Sequence, residues 1–347
     1  MKPSIFFAAV TFCIVAPTLP SAAQDKSGRW PPPVKLSPAI NSDFIKEGPA
    51  TSKEEEGEEH NRCSQHHFGQ FSDWSDPVWL GPIVNSRVDD FHPAISHNGL
   101  SLYLTSTNRP GGFGNNDIWV SQRDTLDDPW GPPQNLGPNI NTADSEFAPD
   151  VSPDGHWLFF SRGLQIWVSY RKDADDDFGW GPAVKLRGDI NVPGLDDNAP
   201  TFFHDRKTGI TSIYFNSISR TEGPGDFDIY VSTQRENGTF GPAKVVRELS
   251  SPKRDTRTAI RNDGLEMFLT SNRDGGFGLI DLWVATREST SDVWSTPTNL
   301  GPTINTAYND GGPALSCDGT TLYFYSERPG GSGGRDLYVT TRHKLHY

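Results

Sequence analysis

Five acidic residues occupy one repeated position in this sequence. Asp90, Glu146, Asp197, Asp255 and Asp310 each lie three residues ahead of the residue that opens a repeated unit, Pro93, Pro149, Pro200, Thr258 and Pro313. Five arginines recur as well: Arg109, Arg162, Arg220, Arg273 and Arg328. Carboxylates gathered at one mouth could hold Ca²⁺ or another divalent ion. They could also divide the acid and base work of glycoside cleavage. The arginine repeat equally supports a structural reading, in which each guanidinium pairs with a carboxylate and ties neighbouring units together. Asp117, Asp228, Asp281 and Asp336 recur in the same manner and read as turn or blade-stabilising residues.

Chemistry is better sought where equivalent units differ. Just before each opening residue stand His92, Ala148, Ala199, Arg257 and Gly312. Only the first and fourth units carry a functional side chain there. His92 beside Asp90, with Arg257 across from them, is the candidate catalytic set; His92 would act as base or metal ligand near neutral pH. Glu146, Asp197, Asp255 and Asp310 are the candidate ligand-binding residues. The plainer account of His92 is a surface histidine at a loop end. His66 and His67 read as solvated loop residues, or as contributors if their segment folds over a face. No H-E-x-x-H helix, phosphate-binding G-x-x-x-x-G-K-S/T or G-x-S-x-G elbow occurs. Asn237-Gly238-Thr239 is a glycosylation sequon with meaning only in a eukaryotic host.

The elements that must position these residues come from an internal repeat. The first unit runs P-A-I-S-H-N-G-L-S-L-Y-L-T-S-T-N-R-P-G-G-F-G-N-N-D-I-W-V from Pro93, and the fifth repeats it from Pro313. Between units lies a second motif, opened by Trp130, Trp180, Phe240 and Trp294 and closed, in two copies, by Asn141 and Asn305. Each period holds four short strand candidates dense in β-branched and aromatic residues. Asp-Gly and Asn-Gly pairs mark hairpins and Gly-Gly clusters punctuate the later turns. The expected fold is therefore all-β: a five-bladed propeller of four-stranded antiparallel blades. The fifth unit ends too near Tyr347 for an outer strand. The Trp74 segment is expected to supply it from the N-terminal side, which leaves no unpaired sheet edge. A similar string from Trp30 to Asn41 has no unit after it.

Of 347 residues, 34 are Gly and 28 Pro, and the net charge is −13. That acidity argues against nucleic acid or an anionic membrane as partner. Residues 1–23 read as a signal peptide, with an apolar run from Ile5 and a small-residue cleavage pattern at Ser21-Ala22-Ala23. Residues 24–73 form an extension, partly disordered where it is most charged, and 74–347 form the propeller. No segment is apolar enough to span a bilayer. The expected setting is periplasmic or secreted, as a monomer. Cys63 and Cys317 then remain, either paired across the closing seam or as two buried free thiols.

The strings S-P-D-G-H-W-L-F-F-S and S-N-R-D-G-G-F-G-L-I-D-L-W-V resemble the WD40-like repeat of TolB-type propellers of the bacterial periplasm and secretome. That resemblance implies the fold and leaves function open among binding scaffolds, accessory domains and relatives of carbohydrate-active enzymes. Five repeats, where six or seven are usual, narrow the central channel. The function expected is a module binding a protein or glycan at the channel mouth. The alternative is a secreted glycoside hydrolase or lyase using the mouth carboxylates and His92, with or without a divalent metal.

Overall fold

The computed structural model describes residues 70–218 and 220–345. The expected signal peptide, the Trp30 segment, Cys63 and His66-His67 lie outside the described residues. A two-residue strand β1 (Val78–Trp79) and a single helical turn α1 (Gly81–Val84) precede the repeats. The first blade is β2 (Asp90–Ile95), β3 (Ser101–Thr107), β4 (Asn116–Gln122) and β5 (Gln134–Asn135). The second is β6 (Glu146–Val151), β7 (Trp157–Arg162), β8 (Gln165–Tyr170) and β9 (Val184–Lys185). The third is β10 (Asp197–Asp205), β11 (Ile210–Ser217), β12 (Asp228–Thr233) and β13 (Lys244–Val245). The fourth is β14 (Asp255–Ile260), β15 (Glu266–Ser271), β16 (Asp281–Thr286) and β17 (Thr298–Asn299). The fifth is β18 (Asp310–Leu315), β19 (Thr321–Ser326) and β20 (Asp336–Thr341), completed by β1.

All five sheets are four-stranded antiparallel meanders. Their first strands are neighbours around one axis, β2 against β6, then β10, β14, β18 and back to β2. The closing strand pairs Val78 with Val339 and Trp79 with Tyr338, as the missing outer strand required. Pairing continues upstream, where Ser72 N–H donates to His343 C=O at 2.9 Å and Leu345 N–H donates to Gln70 C=O at 2.7 Å. Among the described residues no helix is long and apolar enough to cross a membrane.

The core is five wedges, each filled from two adjoining sheets. Leu102, Leu104 and Trp119 of the first blade pack with Tyr323, Tyr325 and Leu337 of the fifth. Phe159 meets Phe202 between the second and third blades, stacked at 5.2 Å. Alternating strand residues face opposite sides, so the aromatic-rich second and third strands fill a wedge on each side. The recurring Asn has its own reason. Asn141 accepts the Ile118 N–H and donates to the Ile118 C=O, both at 2.8 Å, so its amide replaces a strand residue beside β4. Asn85, Asn191 and Asn305 do the same for Leu337, Ile166 and Leu282.

Every first strand carries a β-bulge at one position, set by a left-handed residue: His92, Ala148, Ala199, Arg257 or Gly312, with φ between 33° and 64°. Non-glycine residues enter this region at a cost. Side chains from the preceding blade hold the bulge in place. The Ala148 N–H donates to Thr105 at 3.1 Å, Ala199 to Ser161 at 2.8 Å, Arg257 to Asn216 at 3.2 Å and Gly312 to Thr270 at 2.9 Å. Thr105→Val, which keeps volume but removes the acceptor, leaves a buried amide orphaned and costs about 1–3 kcal/mol in urea unfolding. At the fifth-to-first seam the equivalent residue is Tyr325, whose ring packs edge-on to His92 at 6.1 Å. Space there is short: a Cβ on Gly312 would meet Tyr325 Cδ1 at 2.9 Å and His92 Cδ2 at 3.2 Å. Ala148 and Ala199 tolerate the same φ, so crowding decides the outcome. Gly312→Ala is expected to cost about 1–3 kcal/mol, and a Tyr325→Thr background to relieve most of it.

Candidate functional site

The five acidic residues at the blade entrances are fully buried, with no side-chain exposure. Each is paired with the arginine of its own blade: Asp90–Arg109 at 3.5 Å, Glu146–Arg162 at 2.6 Å, Asp197–Arg220 at 2.8 Å, Asp255–Arg273 at 2.5 Å and Asp310–Arg328 at 2.9 Å. The carboxylates also accept backbone N–H groups four to six residues upstream, from Ser86, Thr142, Asn191, Ser251 and Thr306. Each guanidinium lies over an aromatic ring of the blade's third strand: Trp119, Trp167, Tyr230, Trp283 or Tyr338. The sequence left two readings open, carboxylates gathered at one mouth or separate structural pairs with the recurring arginines. The structure distributes them into five separate ion pairs. Burial raises the Asp90 carboxyl above its ordinary range, because Arg109 is the most distant of the five partners and offsets little of it. Asp117 and Asp281 cap the turns before β4 and β16, accepting N–H bonds from Phe113 and Phe277. Among the described residues no group of three or more His, Cys, Asp or Glu side chains is arranged to hold a metal ion.

His92 and Arg257 share the bulge position but not a pocket of polar partners. The His92 ring sits against Phe91 at 4.6 Å, Tyr325 at 6.1 Å and Phe147 at 6.2 Å, and its Nδ1 is buried without a partner among the described residues. Burial first, then Arg257 and Arg335, push its pKa well down, so the imidazole is neutral. Arg257 is 3% exposed and reaches across the axis. Its Nη1 donates to the carbonyls of Ala148 and Pro200, both at 3.2 Å. Its Nη2 donates to Pro93 at 3.1 Å and Pro149 at 2.6 Å. Burial lowers it to about 10, with nearby Asp150 working in the opposite direction.

Asp150 is the residue that sequence reasoning missed. It follows the β6 proline, where the other blades have Ala94, Thr201, Ala259 and Ala314. The signal was available: the rule that singled out His92 and Arg257, applied two residues later, picks out Asp150. Asp150 lines a cavity of about 90 Å³ at the axis, with His97, Thr201, His204, Arg257 and Asn262 among its polar neighbours. Phe202, Phe203, Ile260 and Leu315 are among its apolar walls. A second cavity of about 70 Å³ shares Ile95, His97, Ser316 and Cys317 with it and extends to Arg123 and Tyr323. Both open at the turns between first and second strands, away from the acidic entrances. The Asp150 carboxylate accepts the Phe202 N–H at 2.7 Å, the one hydrogen bond of that side chain among the described residues. Burial raises its pKa to about 6, against the lowering effects of Arg257 and the Phe202 amide. His204 is held below its ordinary pKa by burial and by Arg206, and its Nδ1 is 2.9 Å from the Thr211 hydroxyl. Cys317 lies at the rim; Cys63, its expected partner, lies outside the described residues.

No protein-family profile matches the sequence, and no curated protein does. The fold is nonetheless shared with solved structures. The catalytic domain of a family-62 α-L-arabinofuranosidase from Coprinopsis cinerea matches with a TM-score of 0.55 at 12% identity, over 78% of this chain and 96% of that one. A family-62 hydrolase in complex with xylotriose matches at 0.53 and 12%, over 79% and 99%. A thermostable family-43 glycoside hydrolase matches at 0.52 and 13%, over 78% and 93%. These similarities correct the WD40-like, TolB-type resemblance: the matched structures are five-bladed glycoside hydrolase propellers. The first of the misleading strings encodes the first turn and second strand of a blade, and the other its later turn and third strand, which any such blade needs. Ser152, Asp154 and the residues to Trp157 close one turn by hydrogen bonds, which report a blade and not a lineage.

Proposed function

We propose that this protein is a carbohydrate-active enzyme of the periplasm or extracellular space, with its site in the axial cavity around Asp150. One observation carries the reading. Asp150 is a cavity-lining carboxyl with no arginine ion pair among the described residues, and its raised pKa leaves a large protonated fraction near pH 6. That is the property of a general acid. The neutral His204 on the same wall is a candidate base. The shared fold with glycoside hydrolases supports glycan as the substrate class by analogy.

The second reading is a glycan-binding module, and the five arginine–carboxylate pairs favour it. Hydrolysis ordinarily needs two carboxyl groups flanking one bond, and Asp150 is the sole carboxylate among the described residues lining this cavity. One screen separates the two. The protein is incubated with aryl glycosides and with oligosaccharides such as xylotriose and cellotriose, following reducing-end release and thermal shift together. Turnover that depends on Asp150 supports the enzyme. A thermal shift without turnover supports the binding module. No response in either assay across the panel overturns both.

A further inference from the structure

We propose that the propeller axis is a carbonyl-lined cation site filled by the chain's own Arg257. The left-handed bulge followed by proline turns main-chain carbonyls inward. Four of them, from Pro93, Ala148, Pro149 and Pro200, accept hydrogen bonds from the two terminal nitrogens of one guanidinium. Those carbonyls belong to the first three blades, and Arg257 itself belongs to the fourth. A single planar cation therefore cross-links four of the five blades at the point where they meet. The requirement for a cation is electrostatic. Converging carbonyl dipoles, buried without donors, each carry a desolvation cost, and a delocalised charge with forked donors satisfies several at once.

The backbone points the same way. Arg257 holds φ of 33°, the smallest positive value among the five bulge residues. Its Nε is buried and has no partner among the described residues. The fourth blade also lacks the proline that fixes its counterparts, having Thr258 in its place. A residue kept at a strained angle with one donor orphaned is held there by what its terminal nitrogens do.

The inference is independent of any catalytic role for Asp150, since it concerns the folded ring and is read by stability. Arg257→Gly removes the guanidinium and suits the left-handed angle, as Gly312 does in the fifth blade. Its Tm is expected to fall by roughly 10 °C. Guanidinium at millimolar concentration, far below the denaturing range, should return roughly half of that loss by occupying the vacated site. Urea, planar but uncharged, should return none, and neither additive should raise the Tm of the unaltered protein. Arg257→Lys should lose an intermediate amount, since one ammonium cannot reach four carbonyls. If Arg257→Gly is recovered only unfolded, its refolding yield with guanidinium against urea gives the same comparison. Equal rescue by urea, no rescue by guanidinium, or an unchanged Tm in Arg257→Gly would each overturn the proposal.

Discussion

Replacing Arg342 by alanine lowers unfolding stability by about 2–4 kcal/mol and loosens the ring at its closing seam. The seam depends on a very short strand, β1, which contributes two residue pairs to the fifth sheet. Side chains make up the difference. Arg342 grips buried Glu266 with both terminal nitrogens, at 2.9 and 2.5 Å. Its guanidinium lies 3.8 Å from the Phe71 ring centre and 4.4 Å from that of Trp74, so the closing segment lies against a buried, paired cation. Its Nε donates to the Gly319 carbonyl at 2.8 Å. Removing one partner of a buried pair typically costs about 3–5 kcal/mol. Arg261, 3.1 Å from Glu266, remains to share the charge and lowers that figure here. Urea unfolding and limited proteolysis measure the effect, with new cleavage expected between residues 70 and 80. Arg342→Lys keeps charge but not the fork or the stack, and should lose about half as much. If both variants unfold within ~0.5 kcal/mol of the parent, the seam is held by something else.

On the proposed reading, Asp150→Asn is expected to lower glycan turnover by roughly 10²–10⁴-fold and at the same time to make the protein more stable at neutral pH. The two effects have one cause. A carboxyl near pKa 6 in the folded state and about 3.9 when unfolded holds its proton more tightly in the native protein. Between those values the native state binds more protons, so stability falls as pH rises through the window. The deficit is complete above about pH 6 and is of the order of 2–3 kcal/mol. Asparagine removes it while its carbonyl oxygen still accepts the Phe202 N–H. The variant should therefore unfold at higher temperature than the parent at pH 7.5, with the gap closing toward pH 4. Parent activity should decline as pH rises past about 6, where the acid form disappears. A structural residue would lose stability and activity together. A stability difference independent of pH, or full turnover in the variant, would remove Asp150 from the site.

The Arg342 arrangement recurs and explains the tryptophan motif. Arg123 stacks on Trp130 at 4.4 Å, Arg171 on Trp180 at 4.4 Å and Arg287 on Trp294 at 4.1 Å. Each also donates its Nε to the glycine carbonyl of the blade's first turn, at Gly99, Gly155 and Gly264. The sequence shows the arginine at the end of every third strand, yet alignment on prolines and acidic residues passed over it. In the third blade Phe240 replaces the tryptophan, and Arg235 pairs with Asp189 at 2.6 Å instead.

Blade number, strand order and closure were legible in the sequence because they follow from local periodicity. Asp-Gly turns, alternating apolar runs and a fifth unit without an outer strand admit few arrangements. The repeating arginine and acid were legible as types, and their structural pairing was one of two readings that spacing allowed. Spacing alone could not choose between a shared crown and separate pairs. That depends on side-chain direction and burial, which place Asp90, Glu146, Asp197, Asp255 and Asp310 inside their own blades. Nor could it place His92 among aromatic rings, send Arg257 across the axis or leave Asp150 as the cavity carboxyl. Those outcomes arise only when the five first strands meet. A left-handed bulge then turns equivalent backbone groups toward one line, and a single cation or acid there acts on several blades at once.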